Sequence, residues 1–171
     1  MDKISREKWL RDCEKCSGDV KRVMKIIRGG YFYYNCPKKL ITRMKFLYYK
    51  AMNNYYNRLL HGIEIPLQTN IGSGIRMVHL NGIVINQYAV IGENCTIFQQ
   101  VTIGAVCGGG GAPTIGNNVY IGAGAKILGN IKIGNDVKIG ANAVVTKDVP
   151  DGSTVVGINQ IIKRDTDEDR D

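Results

Sequence analysis

From Ile85 onward an aliphatic residue returns every six positions: Ile85, Ile91, Ile97 and Ile103, then Ile115, Ile121, Ile127, Ile133, Ile139 and Val145. Four residues after most of them stands a small or branched residue, in the series Ala89, Cys95, Val101, Val119, Ala125, Ile131, Val137, Ala143 and Val149. Gly follows many directly, as in Ile91-Gly92, Ile121-Gly122, Ile133-Gly134 and Ile139-Gly140. A period of six fits neither the 3.6-residue helix nor one isolated strand. It predicts short strands joined by tight turns, each sending one aliphatic side chain into a shared interior. Such a fixed repeat, burying its face only against its neighbours, is the signature of a solenoid.

Two irregularities interrupt the pattern. Ile71, Met77 and Ile83 keep the six-residue step but stand two residues out of phase with Ile85. Between Ile103 and Ile115 one repeat is replaced by Val106-Cys107-Gly108-Gly109-Gly110-Gly111-Ala112-Pro113. Because 103 and 115 differ by two full periods, this loop, bounded at 105–114, is expected to project without breaking the register. Long loops on solenoids usually carry function.

The first sixty residues read differently. Residues 5 to 28 have a helical pattern, with Ser5 as a cap, a break at Ser17-Gly18 and an end at Gly29-Gly30. Pro37 then opens an amphipathic helix in which Leu40, Ile41, Met44, Leu47, Tyr48, Met52, Tyr55, Tyr56 and Leu59 follow i, i+3, i+4 spacing, and Gly62 closes it. That stripe is expected to dock on the solenoid or a partner subunit, or to rest on a membrane surface. The charged run Lys163–Asp171 is expected to be disordered. Three units result: a basic helical segment at 1–62, the solenoid at 63–160 and the tail at 161–171.

Charge sharpens the division. The chain carries a formal +8, yet residues 1–62 hold 15 Lys and Arg against 5 Asp and Glu, and the remainder holds 8 against 10. Such a segment suits a polyanion, an acidic membrane surface or another subunit. Nucleic acid is not expected, since no recognition motif accompanies the charge. No stretch approaches the length of a membrane span and no secretory signal opens the chain, so a cytoplasmic protein is expected. Five cysteines agree with a reducing compartment, and the lone pair Cys13 and Cys16 lacks the second pair that a structural zinc site needs.

The repeat resembles that of the hexapeptide-repeat acyltransferases, whose fold is a left-handed parallel β-helix. Within that family, several stretches look like serine acetyltransferase: Gly62-Ile63-Glu64-Ile65-Pro66, Ile71-Gly72-Ser73-Gly74-Ile75, His79, Gly82-Ile83-Val84, Ala89-Val90-Ile91, Gln100-Val101-Thr102-Ile103-Gly104 and Ile121 through Asn130. The resemblance implies a mainly β chain acting as an acetyl-CoA-dependent O-acetyltransferase. His79 would be the general base on the acceptor hydroxyl, and Glu64, fifteen residues earlier, would orient it. A neutral imidazole can take the proton of an attacking alcohol, and a carboxylate on its other nitrogen fixes the tautomer. Gly104, Ala123 and Ala141 would lie against the pantetheine arm, and Lys138 and Lys147 would face the nucleotide phosphates. A homotrimer with sites between subunits is implied, and no metal. Hexapeptide carbonic anhydrases bind zinc through three histidines, whereas this chain has only His61 and His79.

The acceptor is less constrained. Serine acetyltransferases place an Asp before the catalytic His, where Val78 stands here, and an Arg-His pair in the loop, where Gly111-Ala112 stands. Groups expected to hold amino-acid charges are missing, which favours the neutral hydroxyl of a surface-polysaccharide or glycolipid sugar. Serine in cysteine biosynthesis is the alternative, an amino-sugar acceptor is not separated from these, and a non-catalytic trimeric scaffold is the reading outside enzymology.

Overall fold

The computed structural model describes residues 3–16, 18–106 and 111–162. The tail at 163–171, the loop centre Cys107–Gly110 and the side chains of Ser5 and Cys13 lie outside this description.

The period of six becomes one strand per side of a three-sided prism. In chain order the strands are β1 (Asn70–Ile71), β2 (Arg76–Met77), β3 (Val84–Ile85), β4 (Val90–Ile91), β5 (Thr96–Ile97), β6 (Thr102–Gly104), β7 (Thr114–Ile115), β8 (Tyr120–Ile121), β9 (Lys126–Leu128), β10 (Lys132–Ile133), β11 (Lys138–Ile139), β12 (Val144–Val145), β13 (Thr154–Val156) and β14 (Gln160–Ile162). They form three sheets ordered β1-β4-β7-β10, β14-β13-β11-β8-β5-β2 and β12-β9-β6-β3, here called faces I, II and III. All pairings are parallel except β13 with β14. The architecture is a left-handed parallel β-helix of about four turns with N-terminal helices.

Both periodic series point inward. Ile97, Ile103, Ile121, Ile127 and Ile139 are fully buried, and so are the corner residues Cys95, Val101, Val119, Ala125, Val137 and Ala143. Aliphatic stacking along the axis holds the coils together at about 25 cal/mol per Å² of apolar area buried. The corners between faces I and II each use a residue in the left-handed backbone region. At the corner between faces I and II, Gly74 (φ 72°), Asn94 (59°), Asn118 (58°) and Asp136 (57°) fill that position in successive coils. Gly, Asn and Asp tolerate it best.

The register explains the irregularities. An ordinary coil is 18 residues, as in Ile85↔Ile103 and Ile115↔Ile133. The coil containing His79 is 20, because Ile71 pairs with Ile91 and Met77 with Ile97. Ile71 and Met77 are therefore ordinary strand residues, and two extra residues lie in the 78–82 corner between faces II and III. The coil containing the glycine-rich loop is 24, with Ile91↔Ile115 and Ile103↔Ile127. The loop is thus an insertion of six residues at the corner between faces III and I rather than a replaced repeat, and the strands beyond it stay in register.

The helices are α1 (Lys3–Lys15), α2 (Gly18–Asn35) and α3 (Leu40–Met52), followed by a π-helical segment, Asn53–Leu60. The expected stop at Gly29-Gly30 does not occur; α2 runs through both. A Cβ on Gly29 would stand 2.3 Å from the Tyr49 ring, and one on Gly30 would stand 2.5 Å from Leu67. These glycines let α3 and the first coil approach α2 closely, which outweighs their weak helix propensity. The stripe on α3 does not dock on the solenoid as one expectation had it: α3 buries none of its residues.

Two side chains bolt the helices to the end of the solenoid. Arg28 donates through Nε to Asp12 Oδ2 at 2.9 Å and also to the carbonyls of Ile71 and Gly72. Asp12 Oδ1 accepts the Ile75 N–H at 3.0 Å. Both groups are buried, yet every charge has a partner, as a buried pair requires.

Candidate functional site

Counting two residues past the paired strand residues Met77, Ile97, Ile121 and Ile139 gives His79, Gln99, Ala123 and Ala141. Past the strands, however, the backbone bonds set Asn81 over Gln99, so the column down the corner between faces II and III is Asn81, Gln99, Ala123 and Ala141, and His79 lies in the two-residue widening beside its top. Backbone bonds run along it: Gln100 N–H donates to Asn81 O at 2.8 Å, Gly124 N–H to Gln99 O at 2.9 Å, and Asn142 N–H to Ala123 O at 2.8 Å. His79 is exposed at the widened turn, so the two extra residues aim its ring outward. Ala123 is half-buried and Ala141 exposed, which leaves the edge below without large side chains. Between them the amide oxygen of Gln99 is buried and has no hydrogen-bond partner. An unpaired buried acceptor costs about 1–3 kcal/mol and marks a place where a donor would be welcome.

Glu64 sits on the coil before His79. Its backbone bridges Val84 at the start of β3, and Gly62 stacks beneath Gly82. A buried amide network sets its position: Asn57 Nδ2 donates to Asn53 Oδ1 at 2.6 Å, Asn53 Nδ2 donates to Ile65 O at 3.0 Å, and Ile63 N–H donates to Asn57 O at 2.9 Å. The π-helical segment is thereby tied to residues on both sides of Glu64. It also delivers Arg58, whose Nε lies 3.0 Å from Glu64 Oε1. Among the described residues no hydrogen bond or ion pair joins Glu64 to His79. The carboxylate instead turns to Arg58, a residue that sequence reasoning could not single out from a generally basic helix.

Gly104 lies at the end of β6, across face III from the corner that holds His79. Glu64, Val84, Asn86, Gly104 and Ala105 line a groove of about 370 Å³ along this face, so Glu64 and Gly104 share one depression. A second hollow of about 600 Å³ lies between Glu64, Arg58 and the inner edge of α3. The two candidate lysines are apart: Lys138 projects from face II on β11, whereas Lys147 follows β12 at the corner between faces III and I. Ala112, beside the inserted loop, is 8% exposed and packs in the core. Val78 is half-buried. No cluster of three or more His, Cys, Asp or Glu able to hold a metal occurs among the described residues.

Residues 112–147 match the family model for the bacterial transferase hexapeptide (six repeats). The serine acetyltransferase of Synechococcus elongatus is 49% identical over 107 residues, which cover 61% of this chain and 44% of that protein. The chain spans about half the length of this curated relative. The structure of serine acetyltransferase isoform 3 of Entamoeba histolytica in complex with cysteine has a TM-score of 0.74 at 33% identity, covering 95% of this chain and 61% of that one. The serine acetyltransferase of Brucella abortus strain S19 in complex with coenzyme A has a TM-score of 0.77 at 27% identity, covering 95% and 68%. By repeat, register and these likenesses, the chain is a hexapeptide-repeat β-helix of the serine acetyltransferase-like kind.

Proposed function

We propose that this chain is an acetyl-CoA-dependent O-acetyltransferase whose acceptor is the hydroxyl of L-serine. The observation that carries the reading is the widened corner, where an exposed histidine stands beside a column whose lower members are only Ala123 and Ala141. One ring nitrogen of His79 takes the hydroxyl proton as the oxygen attacks the thioester carbonyl. The tetrahedral intermediate then collapses, and the departing coenzyme A thiolate recovers that proton from the imidazolium. Such general-base help is worth about 10²- to 10⁴-fold. Glu64 orients the ring after rotating away from Arg58. The pantetheine amides run along the open edge and past Gly104, and Lys138 and Lys147 meet the nucleotide phosphates. Those two lysines lie on different sides of one prism, so in this reading they serve one cofactor only across neighbouring copies of a homotrimer. A cytoplasmic reaction, where acetyl-CoA is available, belongs to the same reading.

The relatives that carry the likeness are serine acetyltransferases, and the expectation of a sugar acceptor gains nothing from them. One observation keeps a sugar as the second reading: Val78 and the core-packed Ala112 offer no charge to a zwitterion. Wild type and His79→Ala incubated with acetyl-CoA and L-serine, followed by mass spectrometry of O-acetylserine and free coenzyme A, decide the matter. Product that disappears in the variant is the expected result. Retained activity in His79→Ala removes the base, and absence of product despite bound acetyl-CoA removes serine.

A further inference from the structure

Between Asp19 and Glu64 the chain has ten Lys and Arg and not one Asp or Glu. The same segment carries the largest group of exposed apolar side chains in the described structure. On α3, Leu40 is 77% exposed, Ile41 66%, Met44 62%, Leu47 55% and Tyr48 60%, and the π-helical segment adds Tyr55, Leu59 and Leu60. At 100° per residue, Leu40, Ile41, Met44, Leu47 and Tyr48 form one stripe along α3. The opposite side of α3 is already occupied, with Phe46 against Tyr34 and Tyr49 against Tyr33 on α2. Exposed Arg43 and Lys50 flank the stripe on one side and Lys45 on the other, where Lys45 also lies over the Tyr33 ring.

We propose that α3 is a membrane-surface anchor that lies in the interface of an anionic bilayer. An apolar stripe with cations on both edges is the arrangement of a helix that buries one face among acyl chains and pairs its flanks with headgroups. Charge argues against two such faces pairing with each other, because that would bring together segments that carry only positive charge between Asp19 and Glu64. No helix of the described residues is long and apolar enough to cross a membrane, so the contact is peripheral. Leu47 and Lys50 also line the hollow beside Glu64, so docking would set that hollow at headgroup level. The proposal does not depend on the identity of the acceptor.

The test is flotation of the full chain with phosphatidylcholine vesicles with or without phosphatidylglycerol. The expected result is recovery with the anionic vesicles alone, falling steeply with added salt. Arg43→Gln/Lys45→Gln/Lys50→Gln should lower partitioning roughly a hundredfold, at about fivefold for each cation. Leu40→Ser/Met44→Ser/Leu47→Ser should abolish it, and since these side chains are exposed both triple variants should keep the wild-type circular dichroism spectrum. Lys126→Gln/Lys132→Gln/Lys138→Gln on the solenoid should bind vesicles like wild type. Failure of wild type to float with anionic vesicles overturns the proposal, as does binding that survives both α3 variants. Sedimentation showing that the apolar variant only splits a larger assembly would assign the stripe to a second copy.

Discussion

Asp12→Ala removes one half of the ion pair that fastens the helices to the solenoid. It leaves the Arg28 guanidinium, 5% exposed, with two backbone carbonyls but no counter-charge, and it orphans the Ile75 N–H. Breaking a buried pair by deleting one partner costs about 3–5 kcal/mol, of which the unpaired amide accounts for about 1–3. With a urea slope of about 1–3 kcal/mol per molar, the midpoint should fall by about 1–5 M. The single tryptophan offers a local reporter. Trp9 lies on α1 beside Asp12 and donates to Lys21 O at 3.4 Å, so its fluorescence follows the helical unit while far-ultraviolet dichroism also follows the solenoid. Fluorescence should therefore shift further than dichroism. Asp12→Ala/Arg28→Met should recover much of the loss, because the second change removes the uncompensated charge. A cost of Asp12→Ala below about 1 kcal/mol, or a double variant as unstable as the sum of the singles, would refute the account.

Gly92→Ala should cost about 1–3 kcal/mol in chemical denaturation, because its Cβ would stand 2.4 Å from the backbone O of Gly116 and 2.6 Å from Asn117 Oδ1. Gln100→Asn should raise stability by about 0.5–1 kcal/mol, measured as a rise in Tm, since Gln100 holds φ 59° where Gly, Asn or Asp fill the matching corners. Glu93 has its carboxyl held below the usual range, first by the Ser73 hydroxyl that donates to it and then by Arg11, and a depressed carboxylate stabilises above its unfolded range and loses that as pH falls through its folded value. Trp9 fluorescence should therefore report loosening of α1 in acid, with the acid limb flattened in Glu93→Gln; the effect is small because the pair is exposed.

The solenoid was legible because its signal is repeated in every coil. Ten aliphatic positions and nine corner positions vote for one architecture, and a single polar intrusion would stand out. The loop and the slip were visible for the same reason, as departures from a period. The helical unit was less legible. Gly29-Gly30 reads locally as a stop, and only tertiary contact with Tyr49 and Leu67, distant in sequence, makes it a packing surface. The π-helical turn likewise follows from the Asn53–Asn57 network and its tie to Ile65, which no spacing rule announces. At the site, His79 could be picked out because histidine is rare and lies at the slip. Gln99 could have been found by counting two residues past Ile97, had the true coil length been known. The Arg58–Glu64 contact joins the helical unit to the first coil and is a property of their docking alone.

The two departures from the 18-residue coil also explain where chemistry can reside on a prism otherwise uniform. A perfect coil turns its corners with the fewest residues, so its side chains either fill the core or stand in a regular outer row. Extra residues supply the freedom to aim a side chain or raise a wall. Here the 20-residue coil places His79 at one edge of face III, and the 24-residue coil places the inserted loop at the other. Glu64 and Gly104 line the groove on the face between them. The remaining coils are regular, and at the corner below His79 they contribute only Ala123 and Ala141. The repeat therefore provides a rigid ruler, the insertions provide its irregular edges, and their separation by one face sets the width of the groove between them.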